Sequence, residues 1–240
     1  MILTHQDWEA IASRNQELSA LAVAGDMKGL AALIRTCEWN LGAVADYDYY
    51  AAWCRNQWGT EFSEDRPPLS LIPRTGPVLD VGFGYGFLLE ALAKRTPPQP
   101  LYGIDTSEFA VQAQQKRTPT ATLRVGHCEH IPWPHGHFVS IVATELIEHL
   151  SPAACQRFYR EAHRVGAPNA QLVITTRINE NLGRSLLRCP VCQDVLHPAG
   201  HVRSFSKPLL FAELKLGGWA VTYHEESPGG ILVQCMQRSS

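Results

Sequence analysis

The spacing of apolar residues changes character partway along the chain. Over residues 1 to about 66 it is helical: Trp8, Ile11, Leu18 and Leu21 form one stripe closed by Gly25, and Leu30, Leu33, Ile34 and Cys37 form a second behind Asp26. Thr4-His5-Gln6-Asp7 has the form of a capping box ahead of the first stripe, and Asp26 can cap the second. A third segment, Asp46–Trp58, concentrates aromatic residues at Tyr47, Tyr49, Tyr50, Trp53 and Trp58. Pro67-Pro68 and Pro73 then punctuate a linker.

From Pro77 onward, short apolar runs alternate with amphipathic ones. Strands are expected over Val78–Val81, Leu101–Asp105, Thr122–Val125, Phe138–Thr144 and Leu172–Thr175. Helices are expected over Gly86–Lys94, Ser107–Lys116, Pro152–Val165 and Leu209–Leu216, the last stopped by Gly217-Gly218. Trp219–His224 and Ile231–Met236 read as an antiparallel hairpin around Pro228-Gly229-Gly230. Strands alternating with helices imply a doubly wound α/β sheet. The expected organisation is an N-terminal helical cap over residues 1–70 and an α/β domain over 71–240.

Composition narrows the function classes. Apolar residues make up 45% of the 240 and charged residues 18%, which is a globular balance. A formal net charge of −2 lacks the basic footprint of a nucleic-acid binder. No apolar run approaches the roughly 18 residues of a spanning helix, and no export signal opens the chain, so a soluble cytoplasmic protein is expected. Seven cysteines, scattered apart from the pair Cys189 and Cys192, read as reduced thiols with a metal site as an option, not as a disulfide framework.

The chemistry centres on Val78–Leu89. An apolar run ends in Asp80, and Gly82, Gly84 and Gly86 follow at alternate positions before helix formers begin. A dinucleotide site would need G-x-G-x-x-G for its pyrophosphate. Here the third glycine comes one residue early and position 87 is Phe. The pattern D-x-G-x-G-x-G resembles motif I of the class I S-adenosylmethionine (SAM) methyltransferases, and the likeness runs through residues 77–237. It implies a seven-stranded Rossmann-like methyltransferase sheet with a terminal antiparallel hairpin. It also implies a SAM site in which Gly82, Gly84 and Gly86 shape the methionyl pocket and Asp80 lies near its ammonium. Asp105, 19 residues past Gly86, would take the ribose hydroxyls, with Thr106 beside it. His127 and Cys128 would border adenine. His127 stands where the family carries Asp, and a neutral imidazole nitrogen can still accept the adenine amino hydrogen bond. Trp133 reads as packing.

Glu145, Glu148 and His149 match the family's E-x-x-E-H at the mouth of the fourth strand, where Glu145 also rims the cofactor site. Three outcomes stay open: a hydrogen-bonded structural cluster, a substrate pocket with His149 as general base and His201 as second choice, or a divalent metal site of the kind that small-RNA 2′-O-methyltransferases use. Cys189, Cys192, His197 and His201 are spaced C-x2-C-x4-H-x3-H within an insertion over 182–204, which suits a zinc knuckle. The alternative is two free thiols in a turn with His201 hydrogen-bonded nearby. His201 cannot serve both metals. His201–Ser206 resembles the family's H-x-R-x-F-S, which implies that His201 and Arg203 face the substrate. The aromatic segment reads either as packing of a helical layer onto the main domain or as a lid over the active site; in the second case Tyr49 and Tyr50 join Glu148 in the expected acceptor contacts. The resulting expectation is methyl transfer from SAM to an oxygen or nitrogen of a small molecule. A metal-dependent RNA 2′-O-methyltransferase and a non-catalytic SAM- or zinc-binding partner protein are the alternatives.

Overall fold

A computed structural model describes residues 5–37, 64, 66–188, 195–197 and 199–238. Two helices lead: α1 (His5–Val23) and α2 (Met27–Ile34), the latter capped by Asp26, whose carboxylate accepts from Gly29 N at 2.9 Å. The remaining described elements are a 3-10 turn (Leu69–Leu71), β1 (Val78–Val81), α3 (Phe87–Ala93), β2 (Leu101–Asp105), α4 (Glu108–Arg117), β3 (Thr122–Val125), β4 (Phe138–Thr144), a second 3-10 turn (Ile147–His149), α5 (Pro152–Val165), β5 (Gly166–Arg177), the turn α6 (Leu182–Ser185), β6 (Leu187–Arg188), β7 (Val195–Leu196), α7 (Lys207–Leu216), β8 (Trp219–Ser227) and β9 (Gly230–Gln237). Ser107, Ser151 and Ser206 cap α4, α5 and α7 through their hydroxyls.

The main sheet is seven-stranded in the order β3-β2-β1-β4-β5-β9-β8. β3 through β5 run parallel, and β9 and β8 close the sheet antiparallel. The order reverses between β1 and β4, so a crevice forms beyond the carboxyl ends of the central strands, the usual ligand position in open α/β sheets. The central strands are apolar on both faces, as helices on both sides require. Leu79, Ile141, Leu172 and Ile174 face a core completed by α5 and α7, while Val78, Val142 and Val173 face a second core completed by α3 and α4.

The N-terminal helices belong to the first of these cores. Leu18, Leu30 and Ile34 are buried in one cluster with Phe158, Leu210 and Leu214. Helix α1 joins that core through Leu18, and through Trp8 and Ile11 a third cluster with Leu182 and Val202. It also reaches β7 and the segment after it: Trp8 Nε1 donates to Val195 O at 3.1 Å, and Asn15 Nδ2 donates to Val202 O at 3.2 Å. The aromatic segment 46–58 lies outside the described residues.

Sequence periodicity located the strands closely but shortened three of them. β5 was expected only over Leu172–Thr175, because Pro168 and Asn169 interrupt its polar amino-terminal half. β8 and β9 each run further toward their shared turn than the apolar alternation indicates, because backbone pairing continues where the side chains are exposed. The two-residue ribbon β6–β7, pairing Leu187 with Leu196 and Arg188 with Val195, was not expected.

Candidate active site

The loop after β1 is held by contacts that only its glycines permit. Gly82 N donates to Ile104 O at 2.8 Å, keeping the turn level with β2. Gly84, at φ +49, has no atom within 4 Å of where a Cβ would stand, so this corner of the loop faces open space. Gly86, at φ +68, begins α3 with its Cα against the buried amide of Gln114; a Cβ there would lie 2.1 Å from Gln114 Cδ. One position thus keeps the crevice clear and another lets helix and loop close together.

Two acids line this corner. Asp105, at the end of β2, accepts from Gly84 N through Oδ2 and from Ser107 N through Oδ1, both at 2.9 Å. Burial raises its carboxyl, and the hydrogen bonds from Ser107, Gly84 and Thr106 oppose that shift. Asp80, third residue of β1, is buried with Oδ1 lacking a partner. Burial, and then the charge of Asp105, push it up to about 8. A buried carboxyl with an orphaned oxygen beside an open glycine corner fits a ligand that brings a cationic donor, and SAM carries such a group on its methionyl end.

On the β3 side, Gly126 N donates to Asp105 O at 2.9 Å, which sets the next two residues beside the same acid. His127 is exposed, and Cys128 is buried with its thiol pushed up to about 12 by burial, so it is inert as a nucleophile. Trp133 is buried edge-on against Tyr102 and Phe138, in the packing role expected of it.

The far wall is the end of β4. Glu145 takes φ +50, uncommon for a residue with a side chain, and its amide is held by Thr175 O at 2.9 Å. Glu148 is fully buried. Its Oε2 accepts from Thr176 Oγ1 at 2.9 Å, and its backbone carbonyl accepts from Val202 N at 2.9 Å and Arg203 N at 3.1 Å. Burial raises both glutamates, and the negative charge of Glu145 raises Glu148 further. His149 Nδ1 lies 3.2 Å from Gly200 O. A carbonyl only accepts, so Nδ1 carries the proton and Nε2 is left as the basic nitrogen. Burial, followed by the neighbouring His201, lowers this ring to about 4 and keeps it neutral.

His149 meets His201 edge-on at 5.0 Å between ring centroids, and His201 stacks on His197 at 4.8 Å. Glu180 joins the second pair: Oε2 is 2.7 Å from His201 Nδ1, and Oε1 is 3.4 Å from His197 Nε2. Burial alone would raise Glu180, and the contacts with His197 and His201 overcome it, holding the carboxylate down to about 2. The sequence reading passed over Glu180. The available signal was an acid just past the carboxyl end of a parallel strand, within Asn179-Glu180-Asn181.

Arg203 requires a correction. It was expected to face the substrate, but it is fully buried, with its guanidinium on both carboxylate oxygens of Glu213 at 2.6 and 3.1 Å and 4.4 Å over the Phe205 ring. The carboxylate of Glu213 is a partner that α7 brings from ten residues downstream. Tyr49, Tyr50, Cys189 and Cys192 lie outside the described residues. Of the expected knuckle, His197 and His201 do come together. Thr106 joins the crevice through its amide, which hydrogen-bonds Asp105.

Fold and crevice together define a class I SAM-dependent methyltransferase architecture. Residues 78–169 match the family described as "Methyltransferase domain". A SAM-dependent methyltransferase from Aquifex aeolicus superposes with a TM-score of 0.62 at 21% identity, covering 81% of this chain and 100% of its own. Among characterised relatives, "Probable tocopherol O-methyltransferase, chloroplastic" of Oryza sativa subsp. japonica is 32% identical over 111 residues, 44% of this chain and 30% of its own length. Ajmaline N-methyltransferase of Rauvolfia serpentina is 31% identical over 114 residues, 45% of this chain and 38% of its own. The matched segment thus spans only about a third of those relatives.

Proposed function

We propose that this chain transfers the methyl group of SAM to an oxygen or nitrogen atom of a small molecule. The observation that carries the reading is the corner where the orphaned Asp80 carboxyl, the open Gly84 turn and the Asp105 carboxylate converge. When bound, SAM supplies a methyl already activated on a sulfonium centre. What remains for the protein is to align an acceptor, exclude water and take up a proton.

Each residue then has a role. Asp80 answers the ligand's ammonium, and the Gly84 corner leaves room for the methionyl end. Asp105 and the Thr106 amide hold the ribose, while His127 and the Cys128 amide border adenine. Glu145, held in a strained conformation, rims the cavity. His149 Nε2 is the base for a hydroxyl or protonated amine, oriented by its Nδ1 bond to Gly200. Glu148, bonded to Thr176, braces the segment behind it. The small-molecule acceptor is supported by the net charge and by the O- and N-methyltransferase names of the relatives.

A second reading, a metal-dependent RNA 2′-O-methyltransferase, draws on Glu148, His149 and His201, whose ligand-capable atoms lie within 4.8 Å of one another. It competes with the Thr176 and Gly200 hydrogen bonds, which engage two of those three side chains. Calorimetry with S-adenosylhomocysteine and with NAD tests the cofactor: heat with the first and none with the second is expected, and the reverse overturns the reading. Uptake of labelled methyl from SAM, compared between phenols, amines and short RNA with and without Mn²⁺, decides the acceptor class.

A further inference from the structure

We propose that Glu180, His197 and His201 form a binding site for a divalent transition-metal ion, zinc foremost, beside the crevice and separate from the SAM corner. Each residue offers one ligand atom, and the three lie within 4.8 Å of one another. The donor set, two imidazoles and a carboxylate, matches what zinc takes in proteins and leaves one position of a tetrahedron for another ligand. Two thiols, Cys189 and Cys192, fall in the sequence between β6 and β7 and sit within eight residues of His197.

The second observation is a buried nitrogen without an aligned hydrogen bond. His197 is only 5% exposed, and its Nε2 has no hydrogen-bond partner; at 3.4 Å it approaches Glu180 Oε1 without forming an aligned bond. Its Nδ1 accepts the amide N–H of His201 at 3.2 Å, which turns Nε2 toward the carboxylate. An unsatisfied buried polar atom carries a real cost, and an ion between Nε2 and the carboxylate gives that nitrogen a partner in exchange for the contact between the His201 amide and His197 Nδ1. The site is also stiffened from outside, as a metal site needs. Helix α1 holds the segment at both ends through Trp8 on Val195 and Asn15 on Val202, and the β6–β7 ribbon closes the loop just before it.

Metal ligation reassigns protons on both rings. With the ion on His197 Nε2 and His201 Nδ1, the hydrogens move to His197 Nδ1 and His201 Nε2, with no net loss. The contact between the His201 amide and His197 Nδ1 must then open. Resting on the methyltransferase reading, one consequence follows: a metal-bound His201 presents a protonated Nε2 and cannot accept a proton, which leaves His149 as the base.

The test uses the full chain, freed of any histidine tag and purified without chelator. Inductively coupled plasma mass spectrometry should find about one zinc per chain. Competition with a chromophoric zinc chelator should find at least tenfold weaker binding in Glu180→Gln and in His197→Gln, each checked for folding by circular dichroism. The His201 amide should shift in ¹⁵N spectra on adding Zn²⁺ to metal-stripped protein. Wild-type protein that neither retains nor binds zinc overturns the proposal. So does undiminished zinc in folded Glu180→Gln and His197→Gln, which would move the ion to other ligands. Because none of these readouts involves methyl transfer, failure of the acceptor assignment leaves the result intact.

Discussion

Gly84 donates its amide hydrogen to Asp105 Oδ2 across 2.9 Å, joining the turn after β1 to the acid at the end of β2. On the proposed reading, the residue that would hold the ribose therefore also fixes the loop that would hold the methionine. Pre-organisation of this kind lowers the ordering cost of binding. Asp105→Ala should weaken S-adenosylhomocysteine by roughly 10- to 100-fold, the factor that follows from losing a charged hydrogen bond of about 1.5–3 kcal/mol. Titration calorimetry measures it. An unchanged affinity would remove Asp105 from the site.

Asp80 makes the ligand-free protein sensitive to pH. Burial, and then Asp105, hold its proton to about pH 8, while an unfolded chain releases it near ~3.9. Between those values the folded state binds the extra proton, so the contribution to stability is complete below pH ~3.9 and is lost as pH rises toward 8. Asp80→Asn abolishes that slope. Thermal unfolding of the ligand-free proteins should show the variant gaining on wild type from pH 4 to pH 8, while its SAM affinity falls. A constant difference across that range would mean that Asp80 ionises normally.

On the proposed reading His149 is the base, and it is neutral at mildly acidic pH. Burial first, and His201 second, disfavour its protonated form down to about pH 4, below the ~6.5 of free imidazole. With a hydroxyl acceptor, the acid limb of kcat should fall below pH 5. His149→Gln should lower kcat by about 10²–10⁴-fold with cofactor affinity intact. An acid limb near 6.5 that survives the substitution points to another group.

The Arg203–Glu213 pair belongs to stability. Both side chains are fully buried and bonded to each other. Removing one partner strands a charge, so Arg203→Met should cost about 3–5 kcal/mol in denaturant unfolding. The double replacement Arg203→Met with Glu213→Leu should recover most of that loss, and cofactor affinity per folded molecule should not change. A single variant as stable as wild type would contradict this account.

Much of the sheet was readable in the sequence because its central strands are buried on both faces, and continuous apolar runs such as Phe138–Thr144 admit few alternatives. The glycine spacing at 82, 84 and 86 was equally readable, since backbone approach leaves a compositional trace. Tertiary pairing leaves none. H-x-R-x-F-S at His201–Ser206 gave no sign that Arg203 would turn inward to Glu213, because both residues are charged and an exposed reading costs nothing at the level of pattern. Glu180 was missed for a related reason. Its meaning depends on Ile178 and Asn179 pairing with Phe205, a bridge that draws the end of β5 against the His201 segment.

The hydrogen bonds from Trp8 and Asn15 to the strand and loop around His197 and His201 give the first helix a mechanical duty. Clipping it by limited proteolysis would slacken the imidazole pair from behind, without touching a single residue of the crevice. Any shortened version made for crystallisation or fusion that begins after residue 26 would then be a poor proxy for the intact chain.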